Sequence, residues 1–195
     1  MTKKIYILNG SGTAGKGELA KAISKYIPTY KYSSIDLVKE MYESIGIDRN
    51  NKDEKKRKLY SDTKDMLTQY DDIPFKDIAS IVADFKNNKI EAEVLLIDIR
   101  EPEEIARAEK TFGAETILVR RANAKKIESN HADRNVENYV YDYIIENNGT
   151  LEQLEDAAYQ FIKYTVNNII PDCAHVIRQR GKNTLVFVTN KMLKE

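Results

Sequence analysis

A single cysteine, Cys173, stands in a chain of 195 residues. That excludes an intramolecular disulfide and fits a reducing compartment, so a cytoplasmic location is expected. Two histidines beside one cysteine are too few to build a zinc site from those residue types alone. Net charge is missing as well, because 31 Lys and Arg balance 31 Asp and Glu. No overall field then draws the chain to nucleic acid or to an anionic membrane. No run of about 18 apolar residues occurs, so no membrane-spanning helix is expected. Met1-Thr2-Lys3-Lys4 passes directly into a strand pattern, which argues against a signal peptide. There is no internal repeat and no low-complexity tract. What is left is enough chain to bury a large core, expected as one domain with insertions.

Four of the eight glycines lie together, in Gly10-Ser11-Gly12-Thr13-Ala14-Gly15-Lys16-Gly17. The segment follows the apolar Ile5-Tyr6-Ile7-Leu8 and opens a helix-like stretch from Glu18 to Ile23. Strand, glycine-rich turn, lysine and helix is the context that makes GxxxxGK a phosphate-binding hypothesis rather than an ordinary turn. Glycine lets successive backbone N–H groups face one anion. The helix N-terminus adds partial positive charge, and Lys16 adds a full one. The Ser or Thr usual after the lysine is Gly17, so the hydroxyl that would face Mg2+ is absent. Glu18 reads either as a first-turn acid favoured by the helix dipole or as a sign that a metal is held by phosphates, waters and other acids. Both readings stand.

Strand-length apolar runs are Ile5–Leu8, Tyr30–Tyr32, Val94–Ile99, Thr116–Val119, Tyr141–Ile145 and Leu185–Val188. Helical periodicity lies between most of them, as in Leu59, Thr63, Met66, Leu67 and Tyr70, or Leu151, Leu154, Ala158, Phe161, Ile162 and Thr165. Pro74 and Pro102 suit first helical turns. Gly113 suits a helix end, and Thr150 suits an N-cap. Alternating strands and helices imply an α/β fold, with a mainly parallel sheet covered on both faces. Residues 34–90 read as an all-helical insertion, too long for a simple crossover, with room to act as a cap. Residues 120–138 read as a short lid, and residues 171–195 as an extra C-terminal strand segment. The lysine-rich piece Lys52–Lys58 reads mainly as a solvated helix face.

Asp98 ends the run Leu95-Leu96-Ile97-Asp98, where an acid at the carboxyl end of a buried strand holds Mg2+ or its waters. Its plainer role is a loop or capping acid. Arg100 projects into the same region, with Glu103 or Glu104 as the ordinary partner and a phosphate as the functional one. Arg120, Arg121, Lys125, Lys126, His131, Asp133 and Arg134 form a polar, basic segment suited to closing over a triphosphate. Ser33 with Asp36 reads as a capping-box variant. The functional alternative places Ser34, Asp36 and Lys39 at the mouth of an acceptor pocket. Val188-Thr189-Asn190-Lys191-Met192-Leu193 imitates a guanine-reading NKxD signature, but Leu193 replaces the aspartate, so a GTPase is excluded. Ile99 stands where a hydrolytic ATPase carries a water-activating glutamate, which favours transfer to a bound acceptor.

On Leu8–Glu18, Ser33–Glu40, Leu96–Arg100 and the block from Asp133 to Leu151, the chain resembles nucleoside and deoxynucleoside monophosphate kinases of the P-loop superfamily. It resembles most the branch with phage deoxynucleoside monophosphate kinases and animal phosphomevalonate kinase, and parts of the pattern occur in dephospho-CoA kinases. The resemblance covers about residues 4–165. It implies a three-layer α/β/α P-loop NTPase fold that uses ATP and Mg2+ on a small phosphorylated acceptor. By resemblance, Gly10, Ser11, Gly12, Thr13, Ala14, Gly15, Lys16, Gly17 and Glu18 surround the donor phosphates, and Asp98 organises the metal. Arg100 and Lys39 grip the acceptor, Arg120, Arg121 and Arg134 come from the lid, and Asn147 lies near the donor base. A nucleotide-binding protein without transferase activity is the rival from another class, and an oligomerisation strand is a further reading of the tail.

Overall fold

Apolar runs bounded by glycine, proline and polar residues become the strands of one sheet, and the periodic segments between them become its covering helices. The computed structural model describes residues 3–49, 53–122, 136–167 and 171–188. Contacts divide the chain into two units, residues 1–31 with 91–195, and residues 32–90.

The strands are β1 (Lys4–Asn9), β2 (Thr29–Ser33), β3 (Val94–Asp98), β4 (Glu115–Arg120), β5 (Tyr143–Glu146), β6 (Ala174–Gln179) and β7 (Lys182–Val188). They lie in the order β2-β3-β1-β4-β5-β7-β6. β1 is parallel to both β3 and β4, β5 is parallel to β4 and β7, and β6 returns antiparallel to β7. Tyr6, Ile7, Leu8 and Asn9 have no exposed surface, as expected for a strand covered on both faces.

Tyr6 and Leu8 share one core with Leu19 and Ile23 of α1 (Lys16–Ser24) and with Leu154, Ala158 and Phe161 of α6 (Leu151–Asn167). Phe161 is fully buried in it. Its ring meets Tyr6 at 5.3 Å, Tyr143 at 5.2 Å and Phe187 at 5.5 Å between centroids, all edge to face. Such pairs contribute about 0.5–1.5 kcal/mol each beyond the area they bury. α5 (Pro102–Phe112) packs against β1 and β4 through buried Ile105, Ala108 and Phe112. Ile5 and Ile7, out of phase with Tyr6 and Leu8, face that side. The expected three-layer α/β/α arrangement results.

Local signals operate where the sequence placed them. Pro102 begins α5, and Gly113 ends it at φ 68°. Thr150 and Gln153 cap α6 reciprocally, backbone N–H to side-chain oxygen in each direction, at 2.9 and 3.3 Å.

The tail differs from its expectation of one extra strand. A hairpin forms, turning on Arg180 and Gly181 with φ values of 45° and 87°, the pair of positive angles that matches strand twist. β6 carries no apolar run to mark it, because it is an edge strand with His175, Val176 and Arg178 exposed. Lys182 pins the hairpin to Asp142 at 2.9 Å and to Glu109 at 3.1 Å. Burial opposes its charge, but these two acids outweigh burial and raise the lysine pKa.

Cys173 lies half-buried ahead of this hairpin and packs against the core. Burial first, then Asp156, pushes its thiol pKa up. Thiolate is the reactive form. Alkylation by iodoacetamide at pH 8 should therefore run several-fold slower than on free cysteine, with half-maximal reactivity at higher pH. A rate equal to free cysteine would remove this account of the site.

The second unit contains α2 (Asp36–Ser44), α3 (Glu54–Asp71) and α4 (Ile73–Lys86). Tyr42 ties α2 to α3, with its hydroxyl 2.7 Å from Thr63 Oγ1 and its ring 5.5 Å from that of Tyr60. Asp72, at φ 53°, ends α3 and starts α4, and Pro74 occupies the first turn. The Ser33–Asp36 capping box does not form: Ile35 is the N-cap, and no side chain caps α2.

Candidate functional site

Asn9 ends β1 fully buried, and the loop is built on it. Its Oδ1 accepts from the Gly10 amide at 2.7 Å. Its Nδ2 donates to the Tyr141 hydroxyl at 2.8 Å and to the Arg100 carbonyl at 3.2 Å. Tyr141 in turn donates to the Val136 carbonyl at 2.7 Å. A buried amide satisfied on both ends holds its neighbours in one arrangement. Here it fixes where the loop leaves the sheet.

The backbone then turns through positive φ at Gly10 (153°), Thr13 (67°) and Gly15 (100°). The Ala14 amide closes the turn on the Ser11 carbonyl at 3.1 Å. Two glycines are required by their surroundings as well as by their angles. A Cβ on Gly10 would lie 2.5 Å from the Val119 carbonyl oxygen, and one on Gly15 would lie 2.2 Å from Asn147 Nδ2.

α1 starts at Lys16 with Gly15 as its N-cap and no capping side chain. Among the described residues, no backbone oxygen accepts from the amides of Gly12, Thr13, Gly15 or Gly17. The Lys16 ammonium folds back over the loop, donating to the Gly10 carbonyl and, at 3.2 Å, to the Ser11 carbonyl. Four loop amides without a backbone acceptor and one ammonium thus lie beside a helix N-terminus, the kind of element at which phosphate oxygens bind.

Asp98 ends β3 opposite Leu8 in the register, beside the strand that feeds the loop. Its Oδ2 accepts from Lys31 Nζ at 2.6 Å. Its Oδ1 is buried and has no hydrogen-bond partner among the described residues. Asn147 is brought to the loop itself, donating from its buried side chain to the Ala14 carbonyl at 2.9 Å, while its backbone amide bonds the Arg120 carbonyl at 2.7 Å. Arg120 and Glu146, paired in the β4–β5 register, also join their side chains.

Glu18 is exposed and pairs along the helix with Lys21 at 2.9 Å, in the manner of the first-turn acid. Arg121 is exposed just past β4. Lys125, Lys126, His131, Asp133 and Arg134 lie outside the described residues, as does most of the expected lid. Ser34, Asp36 and Lys39 belong to the helical unit, where Asp36 accepts from Lys39 at 2.7 Å and lies 3.6 Å from Arg49.

Asp98 suits a hard divalent ion. A buried carboxylate oxygen lacking a partner is costly unless something comes to meet it. Magnesium is commonly held by one or two carboxylates together with phosphate oxygens and water. Among the described residues no three His, Cys, Asp or Glu side chains gather as a metal cage, so an ion at Asp98 would complete its shell in that shared manner. No helix among the described residues is long and apolar enough to cross a membrane.

Sequence reasoning did not find Asn9, Tyr141 or Lys31. The signal for Asn9 was present, as a polar residue closing an apolar run directly before the first loop glycine. The signal for Lys31 was a charge inside the short run Tyr30–Tyr32.

No family model matches the chain, and no curated protein is significantly similar to it in sequence. Among solved structures it is similar to shikimate kinase from Aquifex aeolicus, over 83% of this chain and 98% of that one, with 14% identity and a TM-score of 0.45. It is similar also to TT1252 from Thermus thermophilus, over 88% and 100%, with 16% identity and a TM-score of 0.40. At those scores the likeness decides nothing about activity, and the fold stands on the sheet order and loop geometry.

Proposed function

We propose that this chain transfers a phosphoryl group from ATP to a small phosphorylated acceptor, a nucleoside or deoxynucleoside monophosphate. The observation that carries the reading is the loop over residues 10–17, where amides without a backbone acceptor and the Lys16 ammonium lie beside a helix N-terminus that no side chain caps. In this reading the loop amides and Lys16 hold the donor β- and γ-phosphates, and Asn147, bonded to the Ala14 carbonyl, lies near the donor base. Asp98 would hold a Mg2+ ion, which would neutralise phosphate charge. The transferring group carries its charge on its outer oxygens, so fixed donors stabilise the transition state without a covalent enzyme intermediate. Arg120, Arg121 and Arg134 are the proposed lid cations. Ser34, Asp36 and Lys39 are the proposed acceptor contacts of the helical unit, and Arg100 is proposed, on its own unit, as a phosphate contact.

The test is a panel of phosphorylated acceptors read by coupled ADP release. It should include each nucleoside and deoxynucleoside monophosphate, phosphomevalonate and dephospho-CoA. Acceptor-dependent ADP release is expected with at least one monophosphate. Turnover only with phosphomevalonate or dephospho-CoA would move the acceptor assignment. A second reading, nucleotide binding without transfer, is favoured by Gly17 in place of a hydroxyl residue and by Glu18 turning to Lys21. Tight ATP binding with no turnover on any acceptor would establish it over the first.

A further inference from the structure

Asp98 is the protein's candidate ligand for a divalent ion, yet one of its oxygens is already taken by a cation. Lys31, on β2, places its ammonium 2.6 Å from Asp98 Oδ2. The pair is open to water on the lysine side and half-buried on the acid side: the Asp98 side chain is 16% exposed and that of Lys31 36%. The second oxygen, Oδ1, is buried and has no partner among the described residues. One carboxylate therefore presents a filled position and an open one.

We propose that Lys31 is a built-in counter-ion that competes with the divalent cation for Asp98 and so sets how strongly this chain takes metal–nucleotide. The inference rests on the phosphoryl-transfer reading above, because it takes Asp98 to meet the metal of a bound nucleotide. A dication drawn to Oδ1 stands within a few ångströms of the Lys31 ammonium. Repulsion between a +2 and a +1 charge at that range is strong wherever water is partly excluded. Either the lysine swings out toward solvent, which its exposure permits, or the metal is held weakly.

The loop makes this competition matter more. Gly17 supplies no hydroxyl, so no second side-chain oxygen from the loop's usual position offsets the lysine. A purely structural ion pair between the two positions predicts something different: losing it would lower stability and leave metal affinity where it was.

The experiment measures Mn2+ binding in the presence of ADP, from the electron paramagnetic resonance signal of free Mn2+. The proteins are the full-length chain, Lys31→Met, Asp98→Asn and the double variant, each checked by thermal melting. Lys31→Gln stands in if Lys31→Met fails to fold. Asp98→Asn is expected to weaken Mn2+–ADP binding. Lys31→Met is expected to tighten it by about tenfold. In the Asp98→Asn background the Lys31 change should have no further effect, because the carboxylate for which the two cations compete is gone. ADP without metal should bind Lys31→Met no more tightly than the wild-type chain.

If Asp98→Asn weakens binding while Lys31→Met leaves it equal or weaker, the counter-ion role is overturned and the phosphoryl-transfer reading survives. If Asp98→Asn changes nothing, the metal assignment falls and this proposal with it, while the loop reading stands. If the wild-type chain binds neither ADP nor Mn2+–ADP, the proposed function itself is overturned.

Discussion

Replacing Lys16 with alanine is expected to lower kcat by about 100-fold or more while the fold survives. The magnitude follows from what the ammonium touches. It lies over the loop on the Gly10 and Ser11 carbonyls, and in the proposed mechanism it exchanges those carbonyls for phosphate oxygens. A hundredfold loss is ~2.7 kcal/mol of transition-state stabilisation, an amount one fixed charged donor supplies in a water-poor site. Stability should change little, because the side chain is half-buried and the loop's shape is held by other groups: Asn9, Asn147 and the Ala14–Ser11 turn. The measurement is steady-state turnover with the best acceptor from the panel, beside a thermal melt and an ADP titration. Unchanged kcat in a folded Lys16→Ala protein would remove the loop from the chemistry. A large drop in melting temperature would show instead that the lysine is a structural strut.

Features that depend on residues close together in the chain are legible in the sequence. β1, the glycine loop and α1 follow from one contiguous pattern, and β3, β4 and β5 are each marked by buried apolar runs. The helix signals at Pro102, Gly113 and Thr150 are also local, and each operates as expected. Interactions that close over long chain distances are not legible there. Nothing near Asn147 indicates that its side chain will brace Ala14, 133 residues earlier. Nor does anything near Lys31 indicate that Asp98 will be its partner, 67 residues on. Those pairings come from strand order, which local pattern does not specify. β6 is hidden for another reason: an edge strand with one solvated side carries little apolar signal. The Ser33–Asp36 spacing imitates a cap, but Asp36 becomes a helical residue paired with Lys39, so an i, i+3 ion pair takes the acid that capping would have used.

Gly10→Ala should damage both stability and nucleotide binding, and comparison with Gly17→Ala in the same loop isolates the cause. At φ 153° Gly10 occupies backbone space that residues bearing a Cβ rarely enter. The new methyl would sit 2.5 Å from the Val119 carbonyl oxygen. That oxygen belongs to the backbone of β4, which is held in the sheet and has little freedom to retreat. Strain and overpacking each cost about 1–3 kcal/mol, so the pair should lower the melting temperature by roughly 5–15 °C for a chain of this size. Relief of the clash would pull the Gly10 amide from Asn9 Oδ1 and open the loop at its base. ADP affinity should fall with it. Gly17 differs in both respects. It lies inside α1, and a methyl added there would meet nothing within 4 Å. Alanine at that position should be neutral or stabilising by up to about 1 kcal/mol. Thermal melts and ADP titrations of the two variants give the comparison. A Gly10→Ala protein that melts with the wild type and binds ADP as tightly would mean that the loop does not leave β1 by the path described. Equal damage from both substitutions would mean that the close approach of Val119 is not what makes glycine necessary at position 10.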